Sequence, residues 1–197
     1  MILRRPFYNR PTLDVARDLI GKVLVHETRA GLASGVIVEV EAYIGESDPA
    51  SHAAPGPTKR NALLYGPPGV AYVYLNYGIH YLVNAVTEAE GWPAGVLIRA
   101  LEPKDGIALM RRRRGTRADA DVNDLCRGPG NLTKALGITL KENGDDLTAG
   151  ALRIESQTRR KRPLLWSRRI GITVGVETEW RVVAADSPAL SGRTQRR

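Results

Sequence analysis

From Gly35 to Ile44 the chain reads GVIVEVEAYI, and no other stretch limits its fold so strongly. Val36, Val38, Val40 and Ala42 alternate with Ile37, Glu39, Glu41 and Tyr43. A period of two is the period of a strand, whose successive side chains point to opposite faces. The expectation is one apolar face and one face that carries two carboxylates and a tyrosine. Two readings of the second face are open. It is a solvated outer face, or it is a site in which burial raises a carboxyl pKa and suits the group to general-base work. Paired carboxylates also fit hydrolysis at an anomeric carbon, where the transition state is oxocarbenium-like.

Around this strand the chain punctuates itself. RPTLDVARDLIGKVLVHE predicts a helix with Thr12 as N-cap, an apolar stripe of Leu13, Ala16, Leu19 and Ile20, and a stop at Gly21, followed by a strand near Val23 to His26. GESDPASHAAPGPTKRNALLYGPPG predicts a long loop with one turn of helix; loops of this length are functional or disordered. VAYVYLNYGIHYLVNAVT predicts a hairpin with Asn76, Tyr77 and Gly78 at its tip, and AGVLIRALEP a strand with Arg99 opposite Val96, Ile98 and Ala100. PKDGIALMRRRRG and GPGNLTKALGI predict short helices, the first with arginines that complement its dipole, the second ended by Gly137. Strands near 151–155, 170–175 and 180–184 close the chain, and residues 193–197 read as a disordered basic tail.

Nothing divides this pattern, so 197 residues predict one domain, 1–192, with room for a core that needs no disulfide or metal. The single Cys126 excludes an internal disulfide and a cysteine zinc site and fits a reducing compartment. His26, His52 and His80 form no recognised ligand spacing. No run of about eighteen apolar residues occurs and the N-terminus lacks a secretory pattern, so a soluble cytoplasmic protein is expected. The net charge of +8, with arginine clusters at 111–114, 159–162 and 168–169, favours a polyanionic partner, or is merely a solvated surface.

Several residues then ask for a chemical reading. His52 is a base, a ligand or a hydrogen-bonding group. Tyr72 and Tyr74 share a face of the first hairpin arm, and Tyr77 at the tip either folds back as a lid or stands out as a wedge that enters a base stack. Asn84, among apolar neighbours, needs partners if buried and is a core amide or a discriminator in a pocket. A guanidinium on a strand such as that of Arg99 holds a carboxylate or a phosphate. Together they supply a base, aromatic stacking, a wedge, a discriminator and a clamp, the parts of an enzyme that extrudes a nucleotide.

In ARDLIGKVLV, VEVEAYIGESDPASHA, GPPGVAYVYLNYGIHYLVNAV, GVLIRALEP, LCRGPGNLTKALGI and RIGITVGVETEWR, the chain resembles the alkyladenine DNA glycosylases, also called methylpurine or 3-methyladenine DNA glycosylases. The resemblance implies an α/β (α+β) fold: a single compact domain with a curved antiparallel sheet, surrounding helices and a protruding hairpin. It implies an enzyme of base excision repair that flips alkylated or deaminated purines out of double-stranded DNA and hydrolyses the N-glycosidic bond with no cofactor or metal; a monomer is the simpler expectation for a domain that embraces one DNA site. By the same resemblance Glu41 deprotonates the water and Arg99 lies near that water and the nucleotide's phosphate. Tyr43 and Tyr74 stack on the base, His52 bonds near its edge, Asn84 rejects guanine, and Tyr77 intercalates in the DNA.

His80 departs from the pattern, standing where animal members carry tyrosine, which leaves lesion range open among 3-methyladenine, 7-methylguanine, hypoxanthine and ethenoadenine. The short N-terminus favours a bacterial-type enzyme. With no lysine in the strand or hairpin motifs, simple hydrolysis to an abasic site is expected, Lys59 being the nearest exception. The rival readings are a non-catalytic nucleic-acid-binding module and a hydrolase of free nucleosides.

Overall fold

The computed structural model describes residues 1–157 and 162–192; the basic segment 158–161 and the tail 193–197 lie outside the described residues. Two helices, α1 (Arg5–Tyr8) and α2 (Thr12–Leu19), precede β1 (Val23–Thr28) and the fourteen-residue β2 (Gly31–Ile44). The hairpin β3 (Ala71–Asn76) and β4 (His80–Val86) leads to β5 (Ala94–Asp105), and then α3 (Ile107–Arg114) and α4 (Pro129–Leu136). β6 (Leu152–Glu155), β7 (Leu164–Ser167) and β8 (Arg181–Ala184) follow.

All the strand pairs are antiparallel, in the order β3-β4-β5-β2-β1-β6. The sheet forks at β2. Its first half pairs with β1 and its second half with β8, which in turn carries β7. A fork of this kind curls the sheet, and the result is an α+β fold. α2, α3 and α4 cover one face, where Val15, Leu19, Met110, Leu132 and Leu136 pack on Ile37, Val40, Ala42, Val96 and Ile98. Burial of this apolar surface is the main stabilising term. Among the described residues no helix is long and apolar enough to cross a membrane.

Strict alternation along β2 does not survive in the structure. Ile37 packs with Val40 and Ala42, whereas Val38 packs with Ala100, Ala184 and Ala189. Val38 is an extra residue in β2 between the pairs Ile37↔Leu101 and Glu39↔Ala100, and Arg99 is an extra residue in β5 before Val40↔Ile98. The two bulges compensate, so register is restored while the face of β2 slips by one residue. A bulge depends on the partner strand, which a local reading of β2 cannot contain.

Two further expectations are corrected. Thr12 is the first helical residue of α2 and Pro11 the N-cap; Glu88 accepts from the Thr12 N–H and hydroxyl, and so supplies the cap from another loop. Residues 170–175 form an irregular, bent segment, not a strand: Gly171 and Gly175 adopt φ of 77° and 62°, and the Ile170 N–H donates to Glu41 instead of to a ladder.

Candidate active site

The face of the sheet turned away from the helices holds the site. Cross-strand register aligns Tyr72, Asn84, Leu97, Glu41 and Arg181 in one row over β3, β4, β5, β2 and β8. One step to either side lie Tyr43, across from Gly95, and Tyr74, across from Leu82. Period two in five strands thus gathers side chains as far apart in sequence as Glu41 and Arg181.

Above this face is a cavity of about 560 Å³, a size suited to a small planar ligand. Tyr43, His52, Tyr72, Tyr74, Asn84 and Arg99 line it, with Ile170 to Ile172 on one side and the hairpin tip and the start of α4 on another. Tyr77 touches its rim and is itself 87% exposed. Glu41 is not part of the lining. It is fully buried behind Tyr43 and Arg99.

Glu39 and Glu41 have different surroundings. Glu39 accepts from Arg99 Nε at 3.0 Å, Arg181 Nε at 2.8 Å, the Ser191 hydroxyl at 2.7 Å and the Ser191 N–H at 2.6 Å. Three of those donors meet Oε1 and one meets Oε2, four in all against the roughly four acceptor positions of a carboxylate. Glu41 accepts from the Tyr43 hydroxyl at 2.9 Å, Arg99 Nη1 at 3.2 Å and the Ile170 N–H at 2.7 Å. Among the described residues, protein donors therefore occupy three of its positions, and Oε1 has only one of them.

Charge follows the same division. Burial works most strongly against ionisation of Glu39, but Arg181, Arg99 and the Ser191 N–H together hold its pKa below the ordinary value. For Glu41 burial prevails, and the pKa is raised despite Arg99, the Ile170 N–H and the Tyr43 hydroxyl. Arg99 is thus engaged by two carboxylates, the first of the two partners its strand position allowed. Tyr43 is pushed far up, by burial and then by Glu41, so its hydroxyl stays a donor.

His52 comes from the long loop, which is firmly pinned. Arg169 and Asp48 form a buried two-bond ion pair at 2.6 and 2.8 Å, and Arg169 lies over the rings of Tyr43 and Trp180. The Asn61 side chain donates to the His52 and Gly56 carbonyls. His52 Nδ1 meets the Tyr72 hydroxyl at 2.9 Å, and its ring lies 4.4 Å from that of Tyr74. Burial, then Arg60, lowers its pKa and favours neutral imidazole.

The structure brings Glu41, Tyr43, His52, Tyr74, Asn84 and Arg99 together around one cavity, with Tyr77 at its edge. Asn84 Nδ2 donates to the Tyr72 carbonyl at 3.1 Å. Arg181, Ser191 and the Asp48–Arg169 pair were not singled out from sequence, and Tyr72 was placed on the face of Tyr74 without a role in the site. For Tyr72 the shared face with Tyr74 was a usable signal. For the others none exists locally, because their partners are 121 to 152 residues away. Among the described residues no group of three His, Cys, Asp or Glu side chains could hold a metal ion.

A buried, partly satisfied carboxylate behind an aromatic cavity on a curled antiparallel sheet has the form of a hydrolase site for a planar substrate. The model of the methylpurine-DNA glycosylase family matches residues 6–188. Relatives that carry the provisional name 3-methyladenine DNA glycosylase are similar over nearly their whole length. That of Bradyrhizobium diazoefficiens is 49% identical over 189 residues, 96% of this chain and 90% of its own. That of Rubrobacter xylanophilus is 49% identical over 187 residues, 91% and 95% of the two chains, and that of Methanocella arvoryzae 45% over 196, 98% and 96%. The chain belongs to the methylpurine-DNA glycosylase family. It is accordingly an enzyme, a DNA glycosylase of base excision repair, and the non-catalytic reading falls.

Proposed function

We propose that the protein flips an alkylated or deaminated purine from duplex DNA into this cavity and hydrolyses its N-glycosidic bond, leaving an abasic site. The observation that carries the reading is Glu41: a buried carboxylate with a raised pKa, held by three protein donors from Tyr43, Arg99 and Ile170, all of which line the cavity, and with Oε1 taken by only one of them. There it takes a proton from water that attacks C1′, and its charge stabilises the oxocarbenium-like transition state. Arg99 and the Ile170 N–H favour the ionised form of Glu41 against burial, and Arg99 stands at the lining, where the nucleotide's phosphate would approach.

Tyr43 and Tyr74 are the stacking walls. A purine alkylated on a ring nitrogen is a cation, stacks more strongly on them and leaves more readily. With Nδ1 of His52 engaged by Tyr72, Nε2 is the atom that would meet the base edge. Asn84 rejects the exocyclic amine of guanine, and Tyr77 enters the minor groove and fills the gap in the stack. In this reading the protein works as a monomer, without metal or organic cofactor, in the cytoplasm of a bacterial-type cell. Among the described residues that line the cavity there is no lysine, in keeping with a monofunctional enzyme.

The test is incubation with methylated duplex DNA. Free 3-methyladenine or 7-methylguanine and alkali-labile abasic sites are expected, with no protein–DNA adduct on borohydride treatment. Hydrolysis of free methylpurine nucleosides that bulk undamaged DNA does not compete away would point to a nucleoside hydrolase instead.

A further inference from the structure

The matched family segment ends at residue 188, yet the buried ion row at the site is completed three residues later. Ser191 gives both its N–H and its hydroxyl to Glu39, at 2.6 and 2.7 Å, and its oxygen accepts from Arg99 Nη2 at 3.3 Å. Gly192 sits against Ile170: a Cβ at this position would come within 2.5 Å of Ile170 Cδ1. Ile170 is the residue whose N–H holds Glu41. One short segment therefore touches both carboxylates' supports, from 152 residues beyond Glu39.

We propose that residues 191–192 are a positioning latch for the reaction, Ser191 fixing Glu39 and Arg99 and Gly192 seating Ile170, so that Glu41 is held at the cavity wall. The latch rests on the glycosylase reading above. Its logic is a competition for one guanidinium. Arg99 bonds Glu39 through Nε and Glu41 through Nη1. With Ser191 and Arg181 satisfying Glu39, Arg99 need not turn further toward it, and Nη1 stays on Glu41. Loss of the Ser191 hydroxyl leaves Glu39 short of a donor and draws Arg99 toward it. Glu41 then loses part of the charge that favours its ionised form. Ser191 touches no reacting atom in this scheme; it acts through Glu39 and Arg99.

The experiment is single-turnover release of methylpurines by Ser191→Ala and Ser191→Thr across pH, beside binding to a duplex with a tetrahydrofuran abasic analogue. Ser191→Ala is expected to release bases about tenfold more slowly or worse, to bind the analogue as wild type does, and to move the acid limb of the rate profile to higher pH. Ser191→Thr restores both rate and limb. Wild-type rate and profile in Ser191→Ala overturn the latch, and so does a fall in rate matched by an equal fall in binding. If the wild-type protein itself releases no base, the glycosylase reading has failed, and the latch is judged by hydrogen exchange. Gly192→Val should speed exchange of the Ile170 amide, and unchanged exchange overturns the proposal.

Discussion

Glu39 and Glu41 are separated by one residue and share a face, yet their environments shift their pKa values in opposite directions. In the proposed mechanism carboxyl groups whose pKa values are forced apart divide the labour, and the difference here comes from Arg181 and the Ser191 N–H, which bond Glu39. Among the described residues Glu39 forms ion pairs with both Arg99 and Arg181, and Glu41 with Arg99 alone. The signs carry over to stability. Glu39, with a lowered folded pKa, contributes stability above its unfolded value that is lost as pH falls through the folded one. Glu41, with a raised folded pKa, costs stability once pH rises past its unfolded value, and the full cost is present above the folded one. Thermal melts at neutral pH should therefore rank Glu41→Gln level with or above wild type. Glu39→Gln, which strips Arg181 and Arg99 of a buried partner, should lose about 3–5 kcal/mol. The reverse order would contradict the division. Tyr43 offers a finer test, since its hydroxyl favours ionised Glu41. In Tyr43→Phe the aromatic wall stays and the carboxyl pKa rises further, so the acid limb of base release should move to higher pH with binding kept. A limb that stays in place would detach Tyr43 from the base.

Among the elements, the hairpin was the most legible from sequence. Its β-forming arms and polar tip are local properties, and the tip has Tyr77 and Gly78 at positive φ, 48° and 70°. An exposed aromatic held in the left-handed region has little to contribute to the core. Tyr77→Ala should leave stability within about 0.5 kcal/mol while a fluorescent base analogue in lesion duplex shows a less populated flipped state; unchanged flipping would remove the wedge. The β2 strand was legible in its existence and not in its phase. GVIVEVEAYI alternates perfectly, but the bulges at Val38 and Arg99 arise where β2 meets both β5 and β8. That slip is what puts Arg99 between the two glutamates. The loop with His52 was legible only as long and rich in Gly and Pro. Its order comes from Arg169, 121 residues from Asp48, a pairing that no local pattern reveals.

At the scale of the molecule, the net charge of +8 overstates the surface offered to DNA. Arg99, Arg169 and Arg181 are buried and bound to carboxylates. In α3, Arg113 caps the Ala135 and Leu136 carbonyls at the end of α4, and Arg111 holds the Arg117 and Ala120 carbonyls. Phosphate contacts must come from exposed groups such as Arg60 beside the cavity. Arg60→Gln should reduce the slope of log affinity against log salt by about 1 on damaged and undamaged duplex alike. Arg113→Gln should lower the melting temperature and leave the slope alone. Equal slopes in wild type and Arg60→Gln would move the DNA path elsewhere. All of these features converge on the carboxylate behind the cavity, and the most direct measurement is single-turnover base release by Glu41→Gln beside its affinity for lesion-containing duplex. The expected result is affinity close to wild type with release slowed by about 100-fold or more; release within a few-fold of wild type would show that Glu41 is not the base.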